Sequence, residues 1–164
     1  VSHCPTSNMR LGSGVCRVPD LRAAGCAVGL AVDGSSSNDS SNLLAELRQR
    51  LVLHRLVGGA AAMTVNEVLE MATRDGARCL GRDDIGYLAP GMSADFIAVN
   101  MNQVAFAGAS HDPVAAMVLC QPPGVDWSVI NGKVVVENGR LTTINLPANL
   151  EKHNRLAAAM VRGE

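Results

Sequence analysis

The run Ala27-Val28-Gly29-Leu30-Ala31-Val32 carries no charge and stops at Asp33, with Gly34 and a polar stretch from Ser35 to Ser41 directly behind it. It is too short for a buried helix of ordinary length, and its valines favour a strand. Without polar alternation it reads as a parallel strand covered on both faces. Asp33 then stands where the strand ends. In open α/β sheets and β/α barrels that carboxyl end is where ligands and catalytic groups gather. A carboxylate there can bind a divalent cation, act as a base, or cap the next turn.

Composition narrows the function classes. Hydrophobic residues make up 48% of the 164-residue chain and the net charge is -1. No basic stripe marks a nucleic-acid partner. Aromatic residues are only 2%, too few for a base-stacking platform. No apolar run approaches the ~18 residues of a membrane span. The five cysteines (Cys4, Cys16, Cys26, Cys79 and Cys120) are odd in number and lack CxxC spacing. They predict free thiols in a reducing cytoplasm. The opening Val1-Ser2-His3, with no initiator Met, reads as the end of a strand. A fragment is expected, and a processed terminus would look the same.

In order, His3-Cys4-Pro5-Thr6-Ser7-Asn8 reads as a polar turn, with Pro5 forbidding a ladder. Leu11 to Gly14 reads as a loop, and Val18 to Gly25 as a short helix with Pro19 in its first turn. From Leu43 to about Arg55 an amphipathic helix is predicted. Leu43, Leu44, Leu47 and Leu51 take its inner face, while Glu46, Arg48, Gln49 and Arg50 look outward. Asp39 and Asn42 are candidates to cap it. Thr64-Val65-Asn66-Glu67 is a capping box, with Met63 and Val68 placed as its hydrophobic staple. A further short helix covers Asp75 to Leu80.

After Asp84 the period changes to that of strands. Ala94 to Asn100, Val125 to Ile130 and Lys133 to Val136 read as strands. The last two are joined by Asn131-Gly132, a strong hairpin signal. Asn138-Gly139 turns the chain toward Leu141–Ile144. His111 to Cys120 and Pro147 to Val161 read as helices. Residues 1–84 are thus strand-loop-helix material, 85–144 supply most of a β layer with a helix inserted near 111–120, and 145–164 hold a terminal helix.

Several segments together carry a family resemblance. His3-Cys4-Pro5-Thr6-Ser7-Asn8-Met9-Arg10-Leu11-Gly12-Ser13-Gly14 resembles the segment after the seventh barrel strand of the amidohydrolase superfamily. Gly29-Leu30-Ala31-Val32-Asp33-Gly34-Ser35-Ser36-Ser37-Asn38 resembles its eighth strand with a metal-binding aspartate. Met71-Ala72-Thr73, Gly76-Ala77-Arg78-Cys79-Leu80-Gly81, and the stretch from Ile85-Gly86 to Ala94-Asp95-Phe96-Ile97 match later motifs. Asn131-Gly132-Lys133-Val134-Val135 resembles a closing hairpin. The branch is that of guanine, 8-oxoguanine and chlorotriazine deaminases, and the Asp33–Asn42 segment is most similar to the 8-oxoguanine deaminases.

The resemblance implies an α/β chain: the C-terminal portion of a metal-dependent β/α (TIM) barrel with part of a small β-sandwich. It implies hydrolytic deamination of a purine-like ring by water activated on one divalent metal, zinc or alternatively iron. A triazine substrate is the alternative within the family. Asp33 takes the part of metal ligand and proton acceptor. His3, Asn8 and Ser37 are candidate substrate contacts, with a hydrogen-bonded structural role as the other reading of His3, and loop fixation as the other reading of Ser7 and Asn8. The expected partner is a small heteroaromatic molecule, with neither nucleic acid nor membrane, and the parent enzyme is expected to be a cytoplasmic homo-oligomer. The family's HxH and HxxE ligand motifs do not occur. The HxE and PCxxC motifs of zinc cytidine deaminases do not occur either. The chain alone is therefore expected to hold no catalytic metal tightly and to associate through open strand edges. A truncated, non-catalytic remnant is the competing reading. Cys4 and His3, as strand neighbours, face opposite sides and form no dyad.

Overall fold

The computed structural model describes residues 1–164. The chain divides into two compact units, Val1–Ser93 with Met101–Pro123, and Ala94–Asn100 with Gly124–Glu164. The expected boundary near residue 84 falls about nine residues before the observed one, and the 111–120 helix groups with the first unit.

In the first unit, β1 (Ser2–His3) and β2 (Gly29–Leu30) pair in parallel, Ser2 opposite Gly29 and His3 opposite Leu30. Gly29 N–H donates to Val1 O and Ala31 N–H to His3 O, at 2.8 and 2.9 Å. The apolar run is therefore a parallel strand, but its paired part is shorter than the six apolar residues, because β1 offers only two residues as partner. Helix α1 (Pro5–Leu11) replaces the expected polar turn. Pro5 sits in its first turn, where a missing N–H costs nothing, and Gly12 closes it at φ 63°. The strand does end at His3, before the proline, and Pro5 then starts a helix where a turn is expected.

Helix α2 (Val18–Ala23) follows, and β2 leads through the Asp33 loop to helix α3 (Leu43–Gly58). Asn42 caps α3 by accepting from Leu44 N–H and Ala45 N–H. Asp39 instead pairs with Arg10. The face assignment of α3 needs correction. Leu47 and Leu51 are buried as expected, but Leu43 is exposed, whereas Glu46 and Arg50 are 1% and 0% exposed. With His54 they form a buried polar stripe at i, i+4 and i+8. It lies largely against backbone. Arg50 Nη1 donates to Gly29 O at 3.1 Å, while its Nε and Nη2 have no partner. The two ring nitrogens of His54 stand 3.0 Å from Arg50 O and 3.2 Å from Cys16 O, and a neutral ring can donate to one of these. Buried polar groups on a helix are tolerated where they meet main-chain partners, and hydrophobic periodicity alone misses them.

Helix α4 (Val65–Ala72) opens with the full capping box, Thr64 and Glu67 bonding reciprocally, and Met63 and Val68 are both buried. Helices α5 (Arg74–Cys79) and α6 (Pro113–Leu119) complete the unit, with Asp112 capping α6. Its core joins Val18, Val28, Leu47, Leu51, Met63, Val68, Met71 and Val118.

The second unit is an antiparallel sheet in the order β3 (Phe96–Ala98), β4 (Trp127–Ile130), β5 (Lys133–Glu137), β6 (Arg140–Leu141). It is separate from the β1–β2 pair, as the two strand patterns require. At Asn131-Gly132 and again at Asn138-Gly139 both residues have positive φ, the geometry of tight hairpins. Helix α7 (Leu146–Arg162) ends at Gly163 and buries none of its residues. No helix is long and apolar enough to cross a membrane.

Candidate metal-ligand site

Asp33 lies three residues beyond β2, at φ 66°. Aspartate tolerates this left-handed conformation better than most side chains. The turn leaves the residue exposed, and it forms no salt bridge. Its Oδ2 takes two side-chain contacts. Ser7 Oγ, from α1, stands 2.6 Å away, and Ser37 Oγ, from the loop after Gly34, stands at 3.1 Å. The two hydroxyl oxygens are 2.8 Å apart. The triangle has three edges and two hydroxyl protons, so one edge lacks a proton at any moment. The 2.6 Å edge identifies Ser7 as the main donor. The Ser7 hydroxyl, Gly34 N–H and the Ser37 hydroxyl hold the Asp33 carboxyl below the usual carboxylate range. Oδ1 carries no side-chain hydrogen bond.

The other residues singled out by sequence fall in different places. Ser37 is buried, and its hydroxyl is spent on Asp33, Ser7 and Gly34 O. Asn8 lies in α1, where its carbonyl accepts from Ser13 N–H. His3 is 2% exposed on β1, its ring edge-to-face with His54 at 5.5 Å, and neither of its ring nitrogens has a partner. Burial first, then the Arg50 and His54 charges, lower the His3 pKa to about 3. The ring is neutral at physiological pH. Burial, helped by the Asp33 and Glu46 charges, pushes the Cys4 thiol up, which disfavours the thiolate.

Two residues outside the sequence-derived set hold the site. Ser7 is one, and Glu46 is the other. Glu46 Oε1 accepts from Asn38 Nδ2 at 2.9 Å and Oε2 from Thr6 N–H at 3.1 Å. The signal for Glu46 was its i, i+4, i+8 spacing with Arg50 and His54. Sequence marks Ser7 only as a residue fixing its loop through side-chain to backbone bonds, whereas its hydroxyl meets the Asp33 and Ser37 side chains.

As one metal ligand Asp33 fits well: an anionic oxygen, exposed, unneutralised by any basic side chain, with its second oxygen fixed. One carboxylate is not a site, however. No three His, Cys, Asp or Glu side chains of the 164 residues converge to hold a metal ion.

A mixed α/β chain with a carboxylate set just past a parallel strand, held by one hydroxyl from a neighbouring segment and one from its own loop, has the arrangement by which α/β folds gather chemistry at strand ends. The comparisons give the family. The amidohydrolase family model matches residues 1–135. An 8-oxoguanine deaminase from Pseudomonas aeruginosa is 45% identical over 163 residues, 99% of this chain and 36% of that protein. The crystal structure of an atrazine chlorohydrolase from Arthrobacter aurescens complexed with zinc superposes with TM-score 0.88 at 33% identity, over 94% of this chain and 35% of that one. An adenosine deaminase from Xanthomonas campestris with bound zinc gives TM-score 0.89 at 28% identity, over 100% and 38%. The chain belongs to the amidohydrolase family, and it spans little more than a third of the length of these relatives.

Proposed function

We propose that these residues form the Asp33-bearing part of a metal-dependent aminohydrolase that deaminates a purine-like ring of the 8-oxoguanine type. The observation that carries the reading is the Asp33 carboxylate itself: exposed, free of any basic partner, and pinned through one oxygen by Ser7 and Ser37. The 45% identity to an 8-oxoguanine deaminase supports the choice of ring. The likeness to an atrazine chlorohydrolase makes a triazine the alternative substrate. In this reading β1 and β2 are the last strands of a β/α barrel, and the four-stranded sheet is part of a small β-sandwich. The remaining ligands come from residues outside these 164.

A bound zinc would supply a nucleophilic water at neutral pH by lowering the pKa of that water. Asp33 would ligate through one oxygen, and the hydroxyl contacts at Oδ2 would fix the plane of its carboxylate. With its pKa held below the usual carboxylate range, Asp33 stays ionised, the form that would ligate a cation.

The absence of three converging ligands favours a second reading, a chain without catalysis of its own. One experiment separates the two. The matching segment of the Pseudomonas aeruginosa 8-oxoguanine deaminase is replaced by this chain, and ammonia release is measured from 8-oxoguanine, guanine and a hydroxytriazine. Turnover led by 8-oxoguanine supports the proposal. A folded, zinc-loaded chimera inert on all three supports the non-catalytic reading.

A further inference from the structure

Glu46 is 1% exposed, on helix α3, and forms no salt bridge with a basic side chain. A buried carboxylate needs partners to offset its desolvation. Its partners are neutral donors on two different segments. Thr6 N–H belongs to the first turn of α1, one residue before Ser7. Asn38 Nδ2 belongs to the Asp33 loop, one residue after Ser37. Asn38 is itself 1% exposed, and its other side-chain atom, Oδ1, accepts from Ser41 N–H at 3.2 Å. Each of the two hydroxyls that hold Asp33 is thus the sequence neighbour of a group bonded to Glu46. The segment after β1 and the segment after β2 meet at Asp33 on one side and at Glu46 on the other.

We infer that Glu46 is the positioning residue of the Asp33 site: by bonding Thr6 N–H and the Asn38 side chain together, it sets where Ser7 and Ser37 meet Oδ2 of Asp33 and so which carboxylate oxygen is left for a cation. The inference rests on the reading of Asp33 as a metal ligand. Glu46 touches neither the metal nor the substrate. It acts through the two serines, in the way that outer partners orient a ligating group.

The donor and acceptor pattern supplies a test by reciprocal exchange. In Glu46→Gln the new amide nitrogen must face a donor, either Thr6 N–H or Asn38 Nδ2. Asn38 cannot turn its oxygen inward without releasing Ser41. In Asn38→Asp two buried carboxylates face each other. In the double variant E46Q/N38D every bond returns with one polarity reversed: the Gln amide donates to the Asp carboxylate, the Gln oxygen accepts Thr6 N–H, and the second Asp oxygen accepts Ser41 N–H.

Zinc affinity of the chimera defined above is measured for the four proteins, with melting temperature alongside. Each single variant is expected to bind zinc about 10- to 100-fold more weakly, and the double variant to regain affinity close to the wild type. Single variants that keep wild-type affinity overturn the inference. So does a double variant that recovers its melting temperature but not its zinc affinity, since Glu46 would then be merely structural. A zinc-binding chimera that releases no ammonia overturns the deaminase reading and leaves Glu46 judged on zinc alone. A wild-type chimera that takes up no zinc overturns both. In the 164-residue chain itself, amide exchange at Thr6 is expected to be slow in the wild type and in the double variant, and fast in Glu46→Ala, which removes both acceptor oxygens. Unchanged exchange in Glu46→Ala contradicts the bridge independently of any metal.

Discussion

Ser7 Oγ lies 2.6 Å from Asp33 Oδ2, across 26 residues of sequence. The contact joins the segment after one strand to the segment after its parallel neighbour. Removing the hydroxyl frees the carboxylate to rotate. In the chimera, Ser7→Ala is expected to weaken zinc binding and lower kcat about 10- to 100-fold. Ser37→Ala is expected to cost less, because its contact with Oδ2 is longer, at 3.1 Å. Equal effects, or a larger one at Ser37, would show that the short edge is not the main support.

The chain on its own brings no three His, Cys, Asp or Glu side chains together to hold a metal ion. Catalytic zinc normally needs three protein ligands and a water. Equilibrium dialysis of the 164-residue chain against micromolar zinc is expected to give no stoichiometric uptake. One tightly held zinc per chain, lost in Asp33→Asn, would mean a ligand set these residues do not show.

His3 predicts a pH dependence of stability. Its pKa is 6.5 ordinarily and about 3 in the fold. Between those values the unfolded chain binds the proton and the folded chain does not. Stability is therefore intact above pH 6.5 and falls as pH drops through that window toward 3. One such proton gives a slope of at most about 1.4 kcal/mol per pH unit. Urea midpoints followed by circular dichroism are expected to lose this slope in His3→Leu. An unchanged slope would assign it to other groups.

Gly29 is where β2 meets helix α5. A Cβ added there would stand 3.3 Å from both Cys79 Sγ and Gly76 Cα. Gly29→Ala is expected to cost about 1–3 kcal/mol, the usual range for overpacking. Adding Cys79→Ala removes one of the two close atoms and is expected to return part of that loss. No loss in the single variant would contradict the close approach.

Much of this architecture was legible in the residues. Asn131-Gly132 and Asn138-Gly139 announced their hairpins because only a few residue types accept the required positive φ. Thr64 and Glu67 announced the start of α4 because the reciprocal cap is local. The place of Asp33 just past a strand was legible because an uncharged, valine-bearing run of that length favours a strand and stops there. What sequence concealed was long-range. The inward face of α3 carries Glu46, Arg50 and His54 toward backbone atoms, and a hydrophobic pattern reads such residues as solvated. Pro5 was read by what it forbids in a strand rather than by what it permits at a helix start. Ser7 joined the site only through a contact 26 residues away, which no local pattern encodes.

The central claim, that Asp33 belongs to the catalytic metal site of an aminohydrolase, is tested most directly by ammonia release from 8-oxoguanine by the zinc-loaded chimera with and without Asp33→Asn. The account predicts turnover in the first protein, and in the second a fall to background with weakened zinc binding. A chimera that turns over equally well with Asp33→Asn would contradict it.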